Sequence, residues 1–412
     1  MSKDIKLSGQ PVICQLLSFI PHHIIQEAVS QTGADYYYKK MTTYNQLVFI
    51  LYGVVSKIKS LNNLCKCLGF LDDKLVYLGI NQLPASSTLS DSNRKRSSEV
   101  FATIYYLLYE YYRPFLSDSY IKLFINGEID PAKVRIFDST TISLFTDLFK
   151  GAGRSPINGK RKGGLKLHTV MSLDNCVPDI LWMSSAATND RVFLGQLPPT
   201  KDLVYVFDKG YVNYQIYKSW TESGAFYVTR LNENATYQVQ ESKPGNIEDI
   251  NSGGVIKDEI ILLPMKGNQT MKARLITYRD PVKKELLYFV SNMFECHAMT
   301  IVQLYKNRWS IEVLFKQIKQ NFELSYFYCD GEEGIKTQVW IALIANLIFT
   351  VIHKQLKECE QFTTIVAMVA VNQGSYVCFM SLIKEKRRSR NIEKIQLPLF
   401  EKAMGGVFQN SE

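Results

Sequence analysis

Paired cysteine motifs are missing from this chain. Its eight cysteines, at 14, 65, 67, 176, 296, 329, 359 and 378, include no Cys-x-x-Cys pair, and its five histidines stand at no ligand spacing beside them. That excludes a zinc module and a thioredoxin-type redox motif, and the thiols read as reduced. No basic segment followed by an apolar run opens the chain, so no secretory leader is expected. Long hydrophobic runs are also scarce: the most apolar, Val339 to Ile352, has 14 residues and carries Asn346 and Thr350. A bilayer needs about 20 apolar residues, so this run reads as a buried helix and no membrane partner is expected. No internal repeat is present. Neither sign of charge is lacking: Lys plus Arg number 48 against 39 for Asp plus Glu, a net +9, with 46% hydrophobic and 21% charged residues. This is ordinary globular composition, and the mild basic excess suits a polyanionic partner.

At 412 residues the chain has room for two or three domains. Residues 11 to about 115 carry helical periodicity, with breaks near Gly33, Gly69 and Pro84. From Lys133 the pattern turns to short strands, Lys133 to Asp138, Leu165 to Leu173, Val177 to Ser184, Asp202 to Asp208 and Ala225 to Arg230. The first three fit a meander; the later two alternate with helical segments. Residues 231–285 are polar and rich in Asn and Gly, with an apolar alternation from Gly254 to Met265 that suggests a small β insertion. A strand pattern resumes at Glu285 to Asn292, long helices follow, and a basic run (Lys384 to Asn391) lies near the end. The expected organisation is an α/β protein in four parts: an all-α N-terminal domain (1–120), a core in two pieces (130–230 and 286–360), a β-rich insertion (231–285) and a helical, basic tail (361–412).

Three acids stand out. Read as one helix, Tyr305 to Gln320 gathers Tyr305, Arg308, Glu312, Lys316 and Lys319 on a single stripe, with Ile311, Leu314 and Ile318 opposite. The plain alternative is a solvated face tied by Arg308–Glu312 and Glu312–Lys316 pairs, each contributing a few tenths of a kcal/mol. Asp138 and Asp208 each end an apolar strand. Each alone also fits a turn residue, but neighbouring strands would bring the two carboxylates to one sheet edge, where α/β folds place their sites. A third carboxylate from a packed helix completes an oxygen-donor set for two hard cations about 4 Å apart. The flanking bases then suit phosphate.

The order Asp138, Asp208, Glu312, with "DST" at the first acid, "DKGY" at the second and Tyr-x2-Arg-x3-Glu-x6-Lys from Tyr305 to Lys319, resembles the DDE transposases of the insertion-sequence-four family. Gly163 to Asp174, Phe226 to Leu231, Phe315 to Asn321 and Thr337 to Ile348 resemble segments of the same catalytic region, and residues 9–112 resemble, more loosely, a helical domain found on some of these enzymes. The resemblance implies a ribonuclease-H-like core interrupted by a β insertion. It implies Asp138, Asp208 and Glu312 as ligands of two Mg²⁺ ions, with Mn²⁺ able to substitute, that activate water and then the freed 3′-hydroxyl for attack on DNA. It further implies a DNA hairpin on the excised end, a homodimer in the synaptic complex with transposon ends and target DNA, and work in the bacterial cytoplasm at the nucleoid. Tyr305, Arg308, Lys316 and Lys319 would hold the backbone near the cleaved end, and Trp309 is either a platform for an extruded base or a core residue.

Further DNA contacts are expected in two places. Ser87 would cap a helix carrying Arg94, Lys95 and Arg96, behind helices near 42–56 and 60–68, an arrangement compatible with a helix-turn-helix that binds the element's ends; a solvated basic helix end is the alternative. The loop Gly153 to Lys166, with Lys160, Arg161 and Lys162, is a second basic stretch beside Asp138. His168 reads as a packed histidine rather than a base. A DDE-derived endonuclease without strand transfer, and a catalytically silent DNA-binding protein, are the competing readings.

Overall fold

The computed structural model describes residues 9–117, 127–144, 163–244, 253–357 and 360–388. The chain opens on helices: α1 (Val12–Leu17), α2 (His22–Thr32), α3 (Thr43–Val55), α4 (Leu61–Gly69), the single turn α5 (Asp72–Leu75), α6 (Ser86–Lys95) and α7 (Glu99–Leu116). Local chemistry sets their ends. Thr42 and Ser60 accept from the backbone N–H groups of Asn45 and Asn63 to start α3 and α4, and Gly33 takes the left-handed conformation that ends α2 (φ 64°). Ser87 does not cap α6 as expected: the helix begins one residue earlier, with Ala85 at the cap position. Along α7, Val100, Phe101, Ile104, Tyr105, Leu108 and Tyr109 are buried, the spacing of one helical face.

Strands follow: β1 (Val134–Ser143), β2 (Gly164–Ser172) and β3 (Pro178–Ser185), then α8 (Asp190–Gln196), β4 (Val204–Val206), α9 (Tyr214–Glu222) and β5 (Phe226–Arg230). β6 (Gln238–Pro244), β7 (Gly254–Pro264), β8 (Thr270–Arg279) and β9 (Leu286–Ser291) come next. All belong to one sheet in the order β3-β2-β1-β4-β5-β9-β8-β7-β6. β1–β2–β3 is an antiparallel meander, β1–β4–β5 is parallel, and the remainder is antiparallel. In the extension, Arg274 holds both oxygens of Asp258 (2.8 and 2.7 Å) and the carbonyls of Met293 and Cys296 (2.9 and 2.7 Å).

The chain closes on α10 (Ala298–Asn307), α11 (Trp309–Asn321), α12 (Glu332–Gln355), α13 (Phe362–Asn372) and α14 (Phe379–Arg388). By length and composition alone α12 is long and apolar enough to cross a membrane, but 89% of its most apolar window is buried inside the fold, against α7, α3, α6 and α13. It is a core helix. The segment expected as one helix from Tyr305 to Gln320 is two, meeting at Arg308. There the Arg308 N–H reaches the Tyr305 carbonyl and the Ile311 N–H the Arg308 carbonyl (3.0 and 3.2 Å), a tightened turn between the two helices.

Alternation along the central strands assigns side chains to two faces. Val134 and Ile136 of β1 and Val204 and Val206 of β4 join the core that contains α1–α4, α6, α7 and α10–α13. Phe137, Tyr205 and Phe207 join a second core on the other face, with Tyr217 and Trp220 of α9.

Candidate active site

β1 and β4 run parallel with Val134 opposite Val204 and Ile136 opposite Val206. Continuing that register sets Asp138 level with Asp208. Both acids continue the series whose members face the helical side, so both carboxylates turn toward α10 and α11. Beneath them the intervening aromatics stack, with the rings of Phe137 and Phe207 4.5 Å apart and 18° from parallel. Such a pair adds about 0.5–1.5 kcal/mol beyond its buried area. Asp138 lies within β1 rather than at its end as expected, because β2 pairs with β1 as far as Ser143, and Asp208 lies two residues past β4.

The break at Arg308 lets two helices address this edge. From α10, the Tyr305 hydroxyl donates to Asp208 Oδ1 (2.8 Å). From the junction, Arg308 donates through Nη1 to Asp138 Oδ2 (3.2 Å) and through Nη2 to Glu312 Oε1 (2.5 Å). Its guanidinium also lies 5.6 Å from the centre of the Tyr305 ring. Asp138 Oδ1 accepts from the Ser139 N–H (2.8 Å). Lys319, two turns after Glu312, donates to the Thr141 carbonyl on β1 (2.8 Å). The Asp138 carboxyl is pushed up to about 6: burial dominates, the Ser139 N–H and Arg308 oppose it, and the negative charges of Asp208 and Glu312 add to it. Burial, then the neighbouring Asp208 carboxylate, raises the Tyr305 phenol well above its ordinary range, so it remains a donor at neutral pH.

Asp138, Asp208, Glu312, Tyr305 and Arg308 come together at one place, with Lys319 anchored at the adjoining strand. Lys316 is exposed one turn after Glu312, and Trp309 is 62% exposed at the start of α11. Among the described residues, no three carboxylate, imidazole or thiol side chains are gathered tightly enough to hold one ion; the Arg308 guanidinium lies between Asp138 and Glu312. Arg94 and Lys95 are exposed at the end of α6. Arg96 requires a correction: it is 2% exposed, its guanidinium enclosed by protein groups, and it is not available to a phosphate. Lys160, Arg161 and Lys162 lie outside the described residues.

A second polar cluster escaped the sequence reading. On the opposite face of the sheet, the Ser139 hydroxyl donates to Asp190 Oδ1 (2.8 Å), as does Lys166 (3.2 Å), which also reaches the Thr188 carbonyl (2.9 Å). His168 is packed, as expected, against Trp182 and Phe193. Its Nε2 meets Ser184 Oγ at 3.0 Å and its Nδ1 lies 3.7 Å from Asp190. The only prior signal was the Lys-x-His alternation of β2, which puts both side chains on one face.

Residues 130–348 match the family model described as Transposase DDE domain, and residues 8–81 match one described as a domain of unknown function, DUF4372. The chain is 28% identical over 278 residues to a protein of Sinorhizobium fredii named as transposase y4zB, covering 65% of this chain and 71% of that one. It is 26% identical over 229 residues to a protein of Geobacillus stearothermophilus named as the transposase of insertion sequence element IS5377 (55% and 59%). It is 22% identical over 267 residues to one of Synechocystis named for insertion sequence element IS4SA (64% and 70%). Against the solved piggyBac transposase synaptic complex with hairpin DNA the TM-score is 0.44 at 13% identity, over 98% of this chain and 86% of that one, too loose a likeness to carry an argument. With the DDE model spanning more than half of its length, the chain belongs to the transposase DDE domain family, as an insertion-sequence transposase of the insertion-sequence-four type and an enzyme of DNA transposition.

Proposed function

We propose that this transposase binds the ends of its insertion sequence through its N-terminal helices, hydrolyses the terminal phosphodiesters and joins the freed 3′-hydroxyls to target DNA, as a homodimer in the synaptic complex. The five-stranded part of the sheet, β3-β2-β1-β4-β5, supports a ribonuclease-H-like core, and β6–β8 support the insertion between the second and third acids. The observation that carries the reading is the convergence of Asp138 on β1 and Asp208, two residues past the adjacent parallel strand β4, with Glu312, which shares the Arg308 guanidinium with Asp138.

DDE transposase domains generally use divalent ions. Asp138, Asp208 and Glu312 would hold two Mg²⁺ ions, or Mn²⁺ in their place. The donor set fits hard cations, being all carboxylate oxygen. Asp138 fits as well: it is raised in part by its acidic neighbours, so added positive charge would favour its ionised form. When bound, the ions supply Lewis-acid activation of the attacking oxygen and neutralise the phosphate. The remaining steps belong to side chains of the chain. Arg308 has a planar fork suited to two phosphate oxygens, Tyr305 keeps its proton as a donor and orients Asp208, and Lys316 and Lys319 add positive charge along α11 where the backbone would lie.

Replacing Asp138, Asp208 or Glu312 by Ala tests this. Each variant is expected to lose Mg²⁺-dependent nicking and strand transfer on end DNA while retaining duplex affinity. A variant that still nicks at the wild-type rate removes that acid from the site.

A further inference from the structure

Arg96 is enclosed in the N-terminal helices, and its contacts converge on one segment. Its Nη2 donates to the Asp35 carboxylate (3.1 Å) and the Met41 carbonyl (2.6 Å), and its Nε to the Ala34 carbonyl (3.4 Å). Its Nη1 bonds Gln46 Oε1 and Ser92 Oγ, and the Tyr38 ring lies 3.9 Å from the guanidinium carbon. Asp35 also accepts from the N–H and hydroxyl of Thr43 (2.7 and 2.8 Å). Residues 34–41 are thus tied at both ends and in the middle to one buried cation. Enclosing a charge costs several kcal/mol unless it is well paired, and here the pairing fixes a surface segment.

What that segment presents is unusual. Tyr36 and Tyr37 are 82% and 87% exposed, their rings edge to face with centroids 4.7 Å apart. Lys39 and Lys40, next in sequence, are exposed too, and the exposed Arg94 and Lys95 lead directly into Arg96. Two aromatic rings and two ammonium groups exposed within five residues match a polyanion whose sugars add apolar surface between its phosphates, which is the chemistry of nucleic acid. The net charge of +9 agrees in sign. We infer that residues 36–40 are a DNA-contacting surface, with Lys39 and Lys40 on phosphates and the tyrosines against the adjoining sugar-phosphate groups of a duplex. The inference rests on the proposal that the chain acts on DNA, but it assigns contacts outside the three-acid site, in the stretch matched by a domain of unknown function.

The test uses the full-length protein and a fluorescein-labelled random-sequence duplex, because phosphate contacts carry no sequence information. Anisotropy is read across a salt series, with thermal melts as the folding control. Lys39→Ala with Lys40→Ala should make the log affinity against log salt slope shallower by about 0.9 per lysine. Tyr36→Ser with Tyr37→Ser should weaken binding at an unchanged slope, since it removes no charge. If the tyrosine pair melts early, the lysine pair decides. Wild-type slope and affinity in both double variants overturn the assignment, and in that case loss of Mg²⁺-dependent cleavage in Glu312→Ala leaves the catalytic proposal standing. A wild-type chain that binds no duplex overturns both. Unchanged DNA binding with an altered sedimentation mass assigns the face to a second copy of the chain and equally overturns the DNA contact.

Discussion

Arg308 is 13% exposed between Asp138 and Glu312, at 21% and 33%. Removing it leaves two partly buried acids facing each other without a cation, which costs about 1–3 kcal/mol at this degree of enclosure. Arg308→Ala should therefore melt below wild type without metal, with the gap narrowing in Mg²⁺, and should cut end DNA at least about tenfold more slowly. Arg308→Lys should recover only part, lacking the bidentate fork; melting curves and an end-cleavage assay check both, and undiminished activity in Arg308→Ala would reduce the residue to an ion-pair partner. His168 gives a pH prediction. Burial pulls its imidazole down to about 4, with Lys166 adding to burial and Asp190 opposing it. The folded state then binds fewer protons than the unfolded chain below the ordinary histidine value of about 6.5, so this contribution to stability is present above that pH and lost as pH falls toward 4. Melting temperatures of wild type and His168→Gln should converge or cross over that interval, and parallel curves would place His168 outside the acid response. At this scale the sequence was legible where chemistry repeats at fixed spacing, in the Tyr-Arg-Glu-Lys set and in two acids following apolar strand residues, although β1 runs on past Asp138 to Ser143 and Asp208 lies past β4. It was not legible for Arg96, because charge ordinarily marks surface and Asp35, some sixty positions earlier, supplies the buried partner.

β2, β3, β5, β7 and β9 could be read closely from alternation and turn residues, and the apolar run of α12 from composition; β1 runs five residues past its expected end, and β6 and β8 were not read as separate strands. The division of Tyr305 to Gln320 into α10 and α11 could not be read, since those residues contain neither Gly nor Pro and Arg308 is held in part by the Asp138 carboxylate on distant β1. Nor could the union of the insertion with the core sheet, which depends on β5 pairing with β9 across sixty residues. A contact between elements supplies the next prediction. A methyl group at Gly53 of α3 would come 2.5 Å from the Tyr328 hydroxyl, which donates to the Ile58 carbonyl (2.7 Å) and joins the α11–α12 connection to α3. Gly53→Ala should cost about 1–3 kcal/mol by overpacking, against a gain of up to about 1 kcal/mol in helix propensity. Chemical denaturation measures the balance, and a net stabilisation would mean that Tyr328 moves aside freely.

Across the whole molecule, the N-terminal helices do not close a core of their own. Val100, Ile104 and Leu108 of α7, Leu47, Phe49 and Leu51 of α3 and Leu89 of α6 share one cluster with Ile341, Ile344 and Ile348 of α12, and α1 bonds back to the Gln373 and Ser375 carbonyls beyond α13. Residues 1–117 expressed alone should lack a cooperative melt and dispersed amide resonances, and a well-folded fragment would show that α12 is dispensable to them. This shared core fixes the N-terminal helices to the helical face on which Asp138 and Asp208 open, so DNA held by those helices and DNA at the acids would be set by one rigid body. Asp138, Asp208 and Glu312 are together proposed to form a divalent-metal site. Calorimetric titration of the full-length protein with Mn²⁺ addresses it most directly, expecting two ions bound in the wild type and loss of binding in Asp138→Ala, Asp208→Ala and Glu312→Ala variants that melt normally. Mn²⁺ bound equally well by all three variants would contradict it.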